Sequence, residues 1–198
     1  MMRPIKRVKN QIRIIGWDDG PFSKGSGEDV PVIGVVFRGG EFLDGVLRVD
    51  VKNDGMDATE KIAEAINRSR HKDQLRVIML DGISYAGFNM VDIKLLSRET
   101  GLPVIPVTRK KVDFEKFRNA LKKLPGFQKR WEAVENAGPL YHTSVQGKDI
   151  YFQTAGIERR TAERIIHISA TRSSLPEPIR VAHLIASAVV RGESIGGA

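Results

Sequence analysis

Three aspartates stand where mainly apolar runs of the sequence end. Asp18 and Asp19 follow residues 12–17, and Asp81 follows residues 76–80, with a glycine directly after each motif. Apolar runs of this length predict buried strands, and strands that end at one edge of an α/β sheet bring their last side chains together. Converging carboxylates suit a divalent cation. Taken alone, each aspartate is also explained as part of a turn, because Asp-Gly is an ordinary loop signal.

The alternation of side chains along a strand separates the two neighbouring acids. Asp19 is predicted to share a face with Ile15 and Trp17, and Asp18 to point the other way. The sequence does not decide between the two acids as metal ligand. Our prediction is Asp19, together with Asp81.

Asp57 stands at the start of a predicted helix that follows the third strand. With Glu60 it matches a capping box, which would explain both acids as structural. Its position favours another interpretation, because a helix that starts there could bring a third carboxylate beside Asp19 and Asp81. Both interpretations stay open at this point.

Cations follow the strand predicted at residues 102–107. Arg109 and Lys110 come directly after it, at the edge where the acids are predicted. They are interpreted either as phosphate contacts or as a solvated strand end.

A polar stripe runs along the last predicted helix. Arg180, His183, Ser187 and Arg191 recur at helical spacing in a segment that is otherwise largely apolar. A polar stripe on a buried helix has to meet polar groups. His183 is therefore either a packing histidine or a catalytic group that relays a proton, and Arg180 is a second predicted phosphate contact.

The elements that position these residues belong to an α/β fold. The pattern predicts a five-stranded mixed sheet, with the first three strands antiparallel and the rest parallel, and with helices on both sides. Two prolines in residues 102–107 indicate an irregular or edge strand. Residues 141–153 predict a small C-terminal hairpin that turns at Gln146 and Gly147. We expect one domain over residues 1–198.

Composition limits the classes of function. The 198 residues carry a formal charge of +8 and include no cysteine. The charge suits a polyanion such as nucleic acid, although many soluble proteins are basic as well. Without cysteine, thiol nucleophiles and thiolate metal sites are excluded. No apolar run approaches the roughly 20 residues of a membrane span, so we expect a cytoplasmic protein without membrane association.

Several longer motifs resemble a known family. These motifs are GWDDG, VIGVVFRGG, DGMDAT, LDGISYAGFN, GLPVIPVTR and PEPIRVAHLIAS. They are similar to the mainly archaeal family called domain of unknown function number ninety-nine, a distant relative of endonuclease V in the ribonuclease H-like superfamily. The resemblance covers nearly the whole chain.

The relation to endonuclease V implies roles for individual residues. The two main metal-binding aspartates of that family match the Asp18-Asp19 and Asp81 positions, and its glutamate at the helix start has Asp57 as the nearest counterpart. Three features differ. His183 stands at an acidic position, Arg109 stands at a lysine position, and the aromatic-proline wedge that helps to expose a deaminated base is absent.

The resemblance implies metal-assisted hydrolysis of nucleic-acid phosphodiesters. Mg²⁺ or Mn²⁺ would be held by Asp19 and Asp81, while Asp57 or His183 positions a water or relays its proton. Arg109, Lys110 and Arg180 would contact phosphates. The alternative is a catalytically silent module that binds nucleic acid or protein on the same fold.

Overall fold

The structure is a computed structural model that describes residues 5 and 7–195. Nine strands and six helices are assigned in these residues. The strands are β1 Arg13–Asp19, β2 Asp29–Arg38, β3 Phe42–Lys52, β4 Val77–Asp81, β5 Ser84–Tyr85, β6 Asn89–Met90, β7 Val104–Thr108, β8 Tyr141–Val145 and β9 Lys148–Phe152. The helices are α1 Ala58–Arg68, α2 Ile93–Thr100, α3 Phe114–Leu121, α4 Phe127–Asn136, α5 Arg159–Ser169 and α6 Glu177–Arg191.

Seven strands form one mixed sheet in the order β3-β2-β1-β4-β7-β9-β8. The first three strands pair antiparallel, and β4 and β7 continue parallel to β1, as predicted. The prediction of five strands is wrong. The β8–β9 hairpin does not stand apart, because β9 pairs with β7 and extends the sheet by two strands.

The hairpin forms where it was predicted. Gln146 and Gly147 both have positive φ angles, 51° and 75°, which a tight two-residue hairpin turn requires. The predicted edge position of the proline-containing strand is wrong, since β7 lies between β4 and β9. Its pairing with β9 is short, however, and covers only Val107 and Thr108. Pro106 lacks an N–H group, which limits the hydrogen bonds that β7 can donate.

Helices cover both faces of the sheet, as predicted. Ile15 and Trp17 of β1 pack with α1 and α2 on one face. Ile14 of β1, with Val77 and Met79 of β4, packs with α5 and α6 on the other. Because side chains alternate along β1, its last two residues are carried to opposite faces of the same sheet edge.

Within the described residues, no helix combines the length and the apolarity that crossing a bilayer requires.

Candidate active site

Parallel pairing of β1 and β4 brings two of the predicted acids side by side. Trp17 pairs with Leu80, so Asp18 and Asp81 are the next residues in register. Burial and the charge of the Asp81 carboxyl group raise the pKa of Asp18. Because two buried like charges repel each other, this arrangement favours the protonated form of one carboxyl group.

The last helix supplies the histidine of this group. A side chain on Gly16 would collide with the backbone of Pro178, at 2.4 Å from its carbonyl carbon, so the glycine allows α6 to lie directly on β1. Asp18 is two residues further along the same face. His183 therefore reaches it, and the His183 Nδ1 atom lies 2.8 Å from Asp18 Oδ2.

Burial and crowding control the protonation of these groups. Asp18 is only 3% exposed, and burial, with the charges of Asp81 and Asp19, raises its pKa to about 7 against the hydrogen bond from His183. Burial also raises the pKa of Asp81, although Arg109 and His183 oppose the shift. The hydrogen bond with Asp18 raises the pKa of His183. We call Asp18, Asp19, Asp81 and His183 the edge cluster.

Asp19 lies on the opposite face of β1 and is held by the loop after β4. Its Oδ2 atom accepts a hydrogen bond from the backbone N–H of Ala86. Burial raises its pKa to about 6, with a further contribution from Asp81. The fully buried Tyr85 fastens this loop to β1, because its hydroxyl donates to the Trp17 carbonyl at 2.9 Å.

Ala86 has an unusual backbone conformation. Its φ angle is 46°, in the left-handed region that residues other than glycine rarely adopt. Its carbonyl accepts hydrogen bonds from the Asp54 N–H and the Asn53 side-chain amide, and Asp54 also has a positive φ of 51°. Strain of this kind persists only where the surroundings impose it.

The surroundings in this case include the buried guanidinium of Arg130. It is 3% exposed and donates to the backbone carbonyls of Asp54, Gly55, Phe88 and Pro125. Residues 53–55 and 86–88, which Arg130 ties together, are called the loop clasp below. The clasp fixes the Ala86 N–H that binds Asp19, so α4 stabilises the edge cluster from a distance.

Asp57 is held by other groups. Its Oδ1 atom accepts from Asn89 at 2.6 Å and from the Lys52 N–H at 3.2 Å, and its Oδ2 atom lies 3.0 Å from the Lys61 ammonium. It makes no side-chain capping bond to α1. Asn89 does so instead, by accepting from the Ala58 N–H. The structure therefore does not support the predicted capping box, and the bonded partners of Asp57 among the described residues lie outside the edge cluster.

The predicted phosphate contacts differ in their surroundings. Arg109 is exposed at the end of β7, and its charge acts on Asp81 and His183. Lys110 is exposed, and its backbone forms a turn with the Thr108 hydroxyl. Arg180 is bonded through two nitrogens to the buried Glu177, at 2.9 and 2.7 Å.

The donor set of the edge cluster suits a hard divalent cation. Three partly or fully buried carboxyl groups with raised pKa values are crowded together, and a cation would relieve that crowding. Across residues 5 and 7–195, no three Asp, Glu or His side chains are already arranged as ligands of one ion. Mg²⁺ is commonly held by one or two carboxylates with water and substrate phosphate, so a site for it does not require three carboxylates.

Sequence reasoning missed several residues that build this site. Our prediction preferred Asp19 to Asp18 as the metal ligand, and the structure shows that Asp18 is the acid bonded to His183. The two-residue spacing of Gly16 and Asp18 was the available signal, since a glycine in a strand marks a close approach of another backbone. Nothing in the sequence around Arg130 indicates its role, because three of its four bonded carbonyls lie in distant segments.

Comparison with known proteins places the chain among archaeal relatives. A family model described as endonuclease dU matches residues 10–190. A UPF0215 protein of Methanothermobacter thermautotrophicus is 53% identical over 194 residues, which cover 98% of this chain and 95% of the relative.

Solved structures add a comparison of the fold. A protein of unknown function from Archaeoglobus fulgidus is 38% identical with a TM-score of 0.83, over 91% of this chain and 99% of the other. Ciona intestinalis endonuclease V, crystallised with DNA containing an inosine followed by a ribo-adenosine, has a TM-score of 0.57 at 15% identity, over 86% and 82% of the two chains. At that identity the likeness concerns the fold alone.

Proposed function

The chain belongs to the family described as endonuclease dU, and we propose that it is a metal-dependent endonuclease that hydrolyses phosphodiester bonds of a nucleic acid. The observation that carries the proposal is the convergence of Asp18, Asp19 and Asp81 with His183 at one edge of the sheet. The net charge of +8 supports a polyanionic substrate.

The descriptions of the similar proteins support one class of substrate. The family description names dU, and the Ciona enzyme was bound to DNA that contains an inosine. Uracil and hypoxanthine, the base of inosine, both arise by deamination of normal bases. DNA that contains deoxyuridine is therefore the first substrate proposed for this chain.

Asp19 and Asp81 would hold the metal ion, preferably Mg²⁺ or Mn²⁺. When bound, such an ion polarises a phosphate oxygen and lowers the pKa of a bound water. Asp18 fixes the ring of His183 through Nδ1, which leaves Nε2 to exchange a proton with the attacking water or the leaving oxygen. Arg109 stabilises charge that develops on the phosphate. The proposal assigns no catalytic role to Asp57.

The experiment begins with Mg²⁺ and Mn²⁺ titrations by calorimetry on the wild type, Asp81→Asn and Asp113→Asn. Asp113 caps α3 and lies outside the edge cluster, and asparagine caps a helix about as well as aspartate, so this variant is the matched control. We expect metal binding in the wild type and the control and its loss in Asp81→Asn.

Cleavage is then measured on single-stranded and duplex oligonucleotides with deoxyuridine, inosine or only normal bases. We expect Asp81→Asn to lower the rate by at least about 100-fold, since the metal contributes several kcal/mol to transition-state stabilisation. If no metal binds at millimolar concentration, the hydrolytic proposal is wrong. Metal-free binding of oligonucleotides without cleavage would instead favour the silent module.

A further inference from the structure

A cavity lies beside the exposed end of β7. It has a volume of about 290 Å³, and its lining residues are Arg109, Lys148, Asp149, Ser173, Ser174 and Leu175. That volume is at the lower end of the range for small-molecule sites. It suits a phosphate group with part of its sugar better than a whole nucleotide.

The topology of the sheet brings this cavity to the same edge as the edge cluster. Because Thr108 pairs with Tyr151 in antiparallel register, the start of β9 at Lys148 extends past the end of β7. Ser173 and Ser174 precede α6, the helix that carries His183 to Asp18. Three segments distant in sequence therefore line the cavity, and the segment with Arg109 lies at the strand end next to that of Asp81.

The lining residues provide donors for an anion. Arg109 and Lys148 contribute two positive charges, and Ser174, which is 5% exposed, contributes a hydroxyl group. The Ser173 hydroxyl is bonded to the backbone of Leu175. The one lining carboxylate, Asp149, lies 2.8 Å from the His142 ring. A guanidinium matches two phosphate oxygens at once, while an ammonium acts as a point charge beside them.

Arg109 connects the cavity with the edge cluster. Asp81 pairs with Val107 in the parallel register of β4 and β7, and Arg109 follows two residues later at the same strand end. A phosphate held by Arg109 and Lys148 would thus be a near neighbour of a phosphate at Asp81. Consecutive phosphates of one strand are also near neighbours, so a single strand can occupy both positions.

We propose that this cavity, which we call the flanking subsite, binds the backbone phosphate next to the one that is cleaved. The inference rests on the proposed nuclease function and extends it to substrate positioning. Contacts to phosphate position a strand without reading its bases. The flanking subsite therefore sets the register of the strand and contributes equally to every sequence.

The test replaces Lys148, because this exposed residue at the start of β9 can be changed without disturbing the core. The matched control is Lys129→Ala, which removes an exposed lysine of α4 that lines a different cavity. The probe is a fluorescein-labelled single-stranded DNA of about 12 nucleotides. Binding is measured by anisotropy without divalent metal over a series of salt concentrations.

We expect Lys148→Ala to weaken binding at low salt and to reduce the slope of log K against log salt by about 0.7, the value for one lost contact to single-stranded DNA. Ser174→Ala should weaken binding without changing the slope, because the lost donor is uncharged. Lys129→Ala should match the wild type. In cleavage assays, Lys148→Ala should raise KM and leave kcat within about twofold.

An unchanged slope in Lys148→Ala, or an equal change in Lys129→Ala, would overturn the flanking subsite even if the wild type cleaves DNA. A reduced slope in Lys148→Ala alone supports it even if no cleavage is found. The two proposals therefore fail in different measurements.

Discussion

The loop from Tyr85 to Asn89 contacts two groups of carboxylates that have contrasting surroundings. On one side, Asp54 accepts from the Phe88 N–H, and Asp57 is bonded to Asn89 and Lys61. On the other side, the acids of the edge cluster crowd one another under burial that raises their pKa values.

The difference separates acids that are bonded to donors from acids that are buried beside one another. A carboxylate that stabilises a loop is surrounded by hydrogen-bond donors, which favour its charged form. A carboxylate buried beside others destabilises the fold unless something else compensates for it. Perturbed groups of this kind concentrate at functional sites, and in this chain a cation and a substrate phosphate are the proposed compensation.

The largest effect on stability is expected at Arg130, which holds together the loops that contact both groups of acids. Replacement by methionine removes the hydrogen-bond donor from four backbone carbonyls, three in the loop clasp and one at Pro125. We expect the free energy of unfolding to fall by about 3 kcal/mol, as for other broken buried networks. Urea denaturation measures the change, and Lys129→Met, at the exposed neighbouring position, is the control. A loss equal to that of the control would mean that the clasp holds without Arg130.

The next prediction concerns the effect of the raised pKa values in the edge cluster on stability. The pKa values of Asp18 and Asp19 are raised from 3.8 to about 7 and about 6. Between these values and 3.8 the folded chain binds more protons than the unfolded chain. The stability without metal should therefore fall as the pH rises from about 4 to about 7.

Metal binding should reverse this loss, because it requires deprotonated carboxylates. At a free Mg²⁺ concentration about ten times the Kd at about pH 8, we expect a gain of about 1.4 kcal/mol, or about 3–5 °C in Tm. Below about pH 5.5 the same concentration should have little effect. Differential scanning fluorimetry on the wild type and Asp81→Asn tests this, and an equal shift at both pH values would contradict it.

The smallest effect is expected at Asp57. Burial raises its pKa, but the bonds from Asn89, Lys61 and Lys52 outweigh burial and hold the pKa below its usual value. Its contribution to stability is therefore present above pH 3.8 and lost as the pH falls below that value. Asp57→Asn should cost only about 0.5 kcal/mol, because the carboxylate is partly exposed.

The same variant addresses the interpretation of Asp57 as a third metal ligand. If Asp57 is structural, calorimetry should give the same Mg²⁺ affinity for Asp57→Asn as for Glu60→Gln, a control on the same first turn of α1. A loss of about tenfold or more, equivalent to about 1.4 kcal/mol, would show that Asp57 is a metal ligand. The contrast between the two groups of acids would then fail at this residue.

Local patterns were sufficient for much of the fold and part of the site. The strand ends at Asp19 and Asp81 and the antiparallel start of the sheet were predicted from apolar runs, turns and alternation, which depend on neighbours within a few residues. The opposite directions of Asp18 and Asp19 follow from the same period of two, and the bonds of these acids to α6 and to the loop after β4 agree with it.

Only the tertiary structure decided which partners those side chains meet. The hairpin extends the sheet because β9 pairs with the side of β7 that faces away from β4. Asp57 is bonded to Asn89, which is 32 residues away in the sequence, and Arg130 is bonded to Gly55, which is 75 residues away. Hydrogen bonds over such separations depend on how elements dock, and docking depends on packing across the whole core. The sequence by itself therefore determined that these acids stand at strand ends and a helix start, and the packed chain determined which of them are bonded to donors and which are crowded together.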